Sequence, residues 1–175
     1  AIANLREALA IDERLALRTR GAASRWHNFA LAMKEEGNTD EALQAIQKAL
    51  TIKQELFGTE NSLLVITLLN MARLKHDLGD EDAAEALYDR ALTICDGTYG
   101  DNHPETISVL FNMAAVRLHR GHVAEARQFA DRLLAAAKRV YGESHPKVAR
   151  YAELCENLLS TAPPPPPLPP LTPES

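Results

Sequence analysis

The sequence predicts an all-α fold, an α-solenoid of stacked helix pairs, on three observations. Glycine recurs as Gly37, Gly79 and Gly121 at a spacing of 42 residues. Asn28, Asn70 and Asn112, then Ala30, Ala72 and Ala114, then Ala42, Ala84 and Ala126, keep the same spacing. Within each period the apolar residues follow helical spacing. A fixed period in this range marks a stacked repeat protein, in which each unit buries its apolar face only against its neighbours.

Residues 1–20 read as the second helix of an incomplete unit, because Ala8, Leu9, Ile11 and Leu15 echo Ala49, Leu50, Ile52 and Leu56. A first helix for that unit is not in the sequence, and the chain starts at Ala1 rather than Met, so a piece of a longer chain is expected. In the first full unit, residues 21–62, Trp26, Phe29, Ala30 and Met33 fall on one helical face. Gly37-Asn38 stops that helix, since glycine takes the positive φ of a helix end readily. Thr39 and Asp40 then offer a cap and an acidic first turn to the next helix. Ala42, Ala45, Ile46, Ala49, Leu50 and Ile52 form its apolar face, and it ends near Gly58.

The second unit, residues 63–104, and the third, residues 105–146, repeat the plan. Leu68, Met71 and Ala72 precede Gly79, and Leu110, Met113 and Ala114 precede Gly121. The closing loops agree in detail: Tyr99-Gly100-Asp101-Asn102-His103-Pro104 matches Tyr141-Gly142-Glu143-Ser144-His145-Pro146, with Phe57 to Ser62 a degenerate copy. Pro104 and Pro146 suit a first helical position, where the missing N–H costs nothing, and His103 and His145 read as helix-entry residues. Residues 147–160 form a capping helix with Val148, Tyr151, Ala152, Cys155, Leu158 and Leu159 as its apolar side. Residues 161–175 change character: Pro163 to Pro167, Pro169, Pro170 and Pro173 predict an extended polyproline II tail without a core.

Composition narrows function. The net charge of −5 and pI near 5.7 argue against nucleic acid as a partner, because phosphate binding needs concentrated Lys and Arg. No apolar run reaches the length of a membrane span, and a cytoplasmic location is expected. Cys95 and Cys155 lack metal-type spacing and read as small apolar residues on helix faces. No phosphate loop, CxxC or HExxH is present. His119 and His122 straddle the turn glycine Gly121, and the paired acids sit at helix ends. The chain therefore reads as non-catalytic, without cofactor or metal.

The glycine-to-alanine spacing (Gly37/Ala42, Gly79/Ala84, Gly121/Ala126) and the large Trp26 early in a first helix resemble the tetratricopeptide repeat. The 42-residue unit with its Gly-Asp-Asn-His-Pro ending is similar to the kinesin-light-chain type. The resemblance covers residues 1–160 and implies a right-handed superhelix that binds an extended peptide in a concave groove lined by the first helices. The groove residues it implies are His27, Asn28, Leu31 and Lys34, then Ile66, Leu69, Asn70, Arg73 and His76, then Phe111, Asn112 and His119. An amide can hydrogen-bond a peptide backbone without reading its sequence, so Asn28, Asn70 and Asn112 would form a ladder. The same amides could instead tie one repeat to the next, and both readings stand open here.

Relatives that grip chaperone C-terminal carboxylates use a Lys/Arg clamp on these helices. The matching positions are His27, Leu31, Phe111 and Ala115, with only Asn70 kept, so a chaperone-tail receptor is disfavoured. In the tail, Pro166-Pro167-Leu168-Pro169 resembles a WW-domain ligand and the proline run a profilin ligand, with SH3 binding less favoured because the tail lacks Lys or Arg; insertion of the tail into its own groove as an autoinhibitor, or into a neighbour's as a dimerising contact, is a further expectation. The alternative to a peptide-binding adaptor is a spacer or oligomerisation segment of a larger regulatory protein.

Overall fold

A computed structural model describes residues 2–160, and all of the secondary structure in them is helical. Eight α-helices follow in order: α1 (Ile2–Arg14), α2 (Arg20–Glu35), α3 (Thr39–Phe57), α4 (Val65–Asp77), α5 (Glu81–Thr98), α6 (Pro104–His119), α7 (Val123–Tyr141) and α8 (Pro146–Ser160), with one 3-10 turn at Ser62–Leu64. The described chain forms two compact units, the first ending at Leu87 and the second beginning at Tyr88.

In the first unit α2 packs on α1 and α3, and α3 packs on α4. Thr19, in an extended conformation, starts α2 by accepting the Ala22 N–H at 3.1 Å on its hydroxyl oxygen. Ala22, Ala23, Trp26, Phe29, Ala30 and Met33 then bury one side of the helix. The helix ends in a Schellman turn: Gly37 has φ of 80°, its N–H donates to the Lys34 carbonyl, and the Asn38 N–H donates to the Met33 carbonyl at 2.8 Å. The same pair of bonds recurs at Gly79 and Gly121. Repeat alanines Ala30, Ala42, Ala72 and Ala84 are fully buried, which lets the helices approach closely around Met33, Ile46, Leu64, Leu68 and Leu74.

One local expectation is corrected, and two departures from the repeat pattern appear. The N-cap of α3 is Asn38 rather than Thr39, and its side chain makes no capping bond; Thr39 is already the first helical residue. In the copy at Asp80 the side chain does cap, accepting the Ala83 N–H at 3.3 Å. The degenerate loop lacks the His-Pro pair, so its chain re-enters through a 3-10 turn capped by Asn61, and α4 has 13 residues where α2 and α6 have 16. Ile11 on α1 is 42% exposed although its counterpart Ile52 is 3% exposed, whereas Leu15, just past α1, is exposed like its counterpart Leu56. Among the described residues no first helix covers that side of α1.

In the second unit α6 packs on α7 and α7 on α8. Pro104 and Pro146 open α6 and α8. The preceding histidines act as caps: His103 Nδ1 accepts the Glu105 N–H at 3.3 Å, and His145 Nδ1 accepts the Lys147 N–H at 3.1 Å. Each imidazole is held by the tyrosine four residues earlier, Tyr99 stacking on His103 at 3.9 Å and Tyr141 lying 5.3 Å from His145. Tyr88, Ile107, Leu110, Met113 and Leu133 fill the core, and Cys95 and Cys155 lie buried there as free thiols.

Candidate functional site

The residues expected to line a groove sit on α2 and α4 in the first unit and on α6 in the second. Helical spacing puts them on one side of each helix, but burial separates them sharply.

His27 is fully buried between α2 and α4. Its Nε2 lies 2.9 Å from Asn70 Nδ2 and its Nδ1 3.3 Å from the Thr67 hydroxyl. An amide N–H donating to Nε2 leaves the proton on Nδ1, which then donates to Thr67. The same hydroxyl oxygen accepts from Lys53 Nζ at 2.9 Å, and Lys53 donates again to the Leu63 carbonyl at 2.9 Å. Asn70 therefore ties α4 to α2, and Lys53 ties α3 to the start of α4. Leu69 and Arg73, each 6% exposed, are buried beside them.

The accessible part of this side is smaller than the sequence suggested. Asn28, Leu31, Lys34, Ile66 and His76 are half-buried. Lys34 on α2 pairs with Asp77 on α4 at 2.8 Å, and His76 lies 3.5 Å from Glu81. Asn28 Oδ1 is shielded from solvent and has no hydrogen-bond partner.

In the second unit Phe111 is buried and its ring lies 6.5 Å from Tyr151 of α8. Asn112 is 2% exposed; its Nδ2 donates to the Ser108 carbonyl one turn back at 2.7 Å, and its Oδ1 has no partner. His119 is exposed at the end of α6. Arg117, half-buried, lies 3.7 Å from Asp89 and 3.4 Å from Glu125. Asn70 is thus bonded across helices and Asn112 to its own helix, and the amide oxygens of both Asn28 and Asn112 are unmet. The tail residues Pro166, Pro167, Leu168 and Pro169 lie outside the described residues.

Sequence reasoning missed Thr67 and Lys53. Their signal was present: Thr67 stands where the other units carry Arg25 and Val109, and Lys53 where they carry Asp12 and Cys95. Asp12 is itself buried and takes a two-pronged bond from Arg25, at 2.7 and 2.6 Å. A polar residue at a buried repeat position marks a paired junction.

The family description "Tetratricopeptide repeat" matches residues 22–96 and 63–138, together more than half of the chain. No curated protein sequence matches. Among solved structures, BtubC (BKLC) from P. vanneervenii superposes with a TM-score of 0.77 at 21% identity, over 91% of this chain and 64% of that one. A kinesin light chain from P. anserina, named for its nearly identical TPR-like repeats, gives 0.71 at 18% identity, over 91% of this chain and 82% of that one. A point variant of that same protein gives 0.73 at 17% identity over the same shares. The chain thus spans less than two thirds of the first of these structures, and the likeness is one of fold.

Proposed function

The chain belongs to the tetratricopeptide repeat family, and from that premise we propose that it is a non-catalytic adaptor that binds an extended peptide on its first helices. The family is generally a protein-interaction module, and the fold is typically non-catalytic. The observation that carries the finer reading is the pair of unmet acceptors, Asn28 Oδ1 and Asn112 Oδ1, at equivalent repeat positions. A shielded amide oxygen without a partner costs about 1–3 kcal/mol. A peptide backbone N–H would remove that cost without demanding a particular side chain. Half-buried Leu31 on α2 and Ile66 on α4 offer apolar contact, and the Lys34–Asp77 pair offers one charge of each sign. Because Asn70 is engaged with His27, the reading assigns contact to Asn28 and Asn112 and a structural role to Asn70.

Peptides selected from a displayed library on the intact chain test this. Asn28→Ala and Asn112→Ala should each weaken a selected peptide about 5–10-fold, the worth of one hydrogen bond to a shielded acceptor. Peptides that bind both variants as well as the parent would refute backbone recognition at these positions. A peptide ending in an acidic carboxylate motif should bind no better than its amidated form, since the clamp positions carry His27, Leu31, Phe111 and Ala115. A cytoplasmic setting belongs to the same reading and is supported by the two free, buried thiols.

A second reading rests on the tail. Its uncharged proline run suits an aromatic-lined groove in another protein, which would make the repeats a spacer. Replacing the tail prolines would then abolish capture by a WW or SH3 domain and leave library peptides bound.

A further inference from the structure

The second-helix side of the first unit carries a groove that peptide binding on the first helices does not use. Its walls are α1, with the turn that follows it, and α3. Its floor is Trp26 and Phe29 of α2, packed edge to face with centroids 6.2 Å apart. Ion pairs span the walls: Arg6 with Glu41 at 2.8 Å, Arg18 with Glu55 at 3.0 Å, and Lys48 with Glu13. Two cavities open along it, of about 370 and about 270 Å³, and both are lined by Glu13, Trp26 and Lys48. The Lys48 ammonium sits 4.2 Å from the Trp26 ring centroid, and the Arg6 guanidinium 5.0 Å from that of Phe29.

The rim carries amide donors, Gln47 on one cavity and Gln44 on the other, beside the ion-paired Arg18 and Arg6. Ala16, on the edge of the larger cavity, holds φ of 49° as the left-handed residue of the Schellman turn that ends α1: its N–H donates to the Glu13 carbonyl at 3.0 Å and the Leu17 N–H to the Asp12 carbonyl at 2.9 Å.

An aromatic floor under a rim of donors matches one ligand chemistry. A proline-rich strand presents ring faces to aromatic side chains. Its carbonyls make no internal hydrogen bonds, and its prolines contribute no N–H. Residues 163–171 of this chain fit that description: uncharged, and with backbone donors only at Leu168 and Leu171. Glu174 follows, an acid for the Arg18 and Lys48 side of the rim.

We propose that the groove between α1 and α3 is a polyproline site and that its occupant is this chain's own tail. Proline rings lie against Trp26 after the Lys48 side chain swings aside, and the side-chain amides of Gln47 and Gln44 donate to tail carbonyls. The site is independent of the first-helix reading, and its readout differs, so either can fail alone.

The chain has a single tryptophan, so Trp26 reports on the groove without labelling. The test compares acrylamide quenching of the full chain with that of a full-length variant carrying Ser at 164, 166, 167, 169 and 170. The tail variant should be quenched about twofold more strongly, as the ring passes from a covered to an open population. A synthetic peptide of residues 161–175 should reverse this saturably. Gln47→Glu, which sets a carboxylate against the tail carbonyls, should reproduce the tail variant's quenching at unchanged helicity. A dilution-independent difference places the tail on its own chain, and a dilution-dependent one on a second copy; both keep the site. Equal quenching of parent and tail variant, or a peptide without saturable effect, overturns it. So does a tail that captures a foreign WW domain while Trp26 stays unchanged.

Discussion

Thr67 serves two buried donors with one hydroxyl oxygen, and that fixes what its loss should do. His27 Nδ1 and Lys53 Nζ both reach it. Thr67→Val keeps the shape and removes the acceptor, so two shielded donors lose a bond together. The expected cost is about 1–3 kcal/mol, chiefly from the bond lost at buried His27, since Lys53 keeps its bond to the Leu63 carbonyl; it is read as a lower urea midpoint by Trp26 fluorescence. Thr67→Ser should restore most of it. A Val variant as stable as the parent would mean that both donors find other acceptors. This junction also marks the limit of legibility at the residue scale. The 42-residue period locates the small buried positions, and the repeat alanines are buried as that register requires. It does not say that Asn70 turns toward His27 while Asn112 turns back to its own helix, because those choices depend on the residue one helix away. His27 and Thr67 occupy positions filled by other residue types in the other units.

The helix ends are where sequence and structure agree most closely, because caps are local. Gly37, Gly79 and Gly121 each hold φ near 80°, and a Cβ built at any of them meets nothing within 4 Å. Substitution is therefore opposed by backbone strain alone, with no clash added. Gly37→Ala should cost about 1–2 kcal/mol, and Gly121→Asn less, since Asn tolerates the left-handed region better. Differential scanning would show this as a fall of roughly 2–8 °C for Ala. An alanine variant with unchanged melting would imply that the turn has rearranged. Asp80 adds a pH dependence. Its carboxyl is held below the ordinary range by the Lys75 ammonium at 2.9 Å and by the Ala83 N–H. A folded value below the unfolded one means that its stabilisation is complete above the unfolded value, about 3.9. It is lost as pH falls through the folded value. Asp80→Asn should flatten the acid limb of a stability profile below about pH 4 and change little at neutral pH beyond the loss of the Lys75 pair. The element that escaped reading is the entry to α4: a loop without His-Pro announces a departure, but a 3-10 turn is one of several ways to make it.

For the whole molecule, the distribution of probes allows the two units to be followed separately. Trp26 is in the first, and Cys95 and Cys155 are in the second. Burial pushes both thiols up to about 11, with Thr106 pulling the other way at Cys95. At pH 8 they should therefore react with a thiol reagent only when the second unit opens. In a repeat array each unit is stabilised by itself and by its nearest neighbours, so damage should stay close to its origin. Asp12 is 4% exposed and bonded to Arg25, whose side chain is 37% exposed. Its loss should therefore cost less than that of a fully buried pair, about 1–3 kcal/mol after allowance for solvent at the arginine. With a urea dependence of about 2 kcal/mol per molar, Asp12→Ala should lower the Trp26 midpoint by roughly 1 M. The urea concentration at which the thiols become reactive should move by less than half as much. Equal shifts of the two probes would show that the described residues unfold as one block, and that a ligand bound to either unit stabilises both. Unequal shifts would confine ligand stabilisation to the unit that binds. Thermal protection by a selected peptide, read at Trp26 and at the cysteines, would then report which helices it occupies.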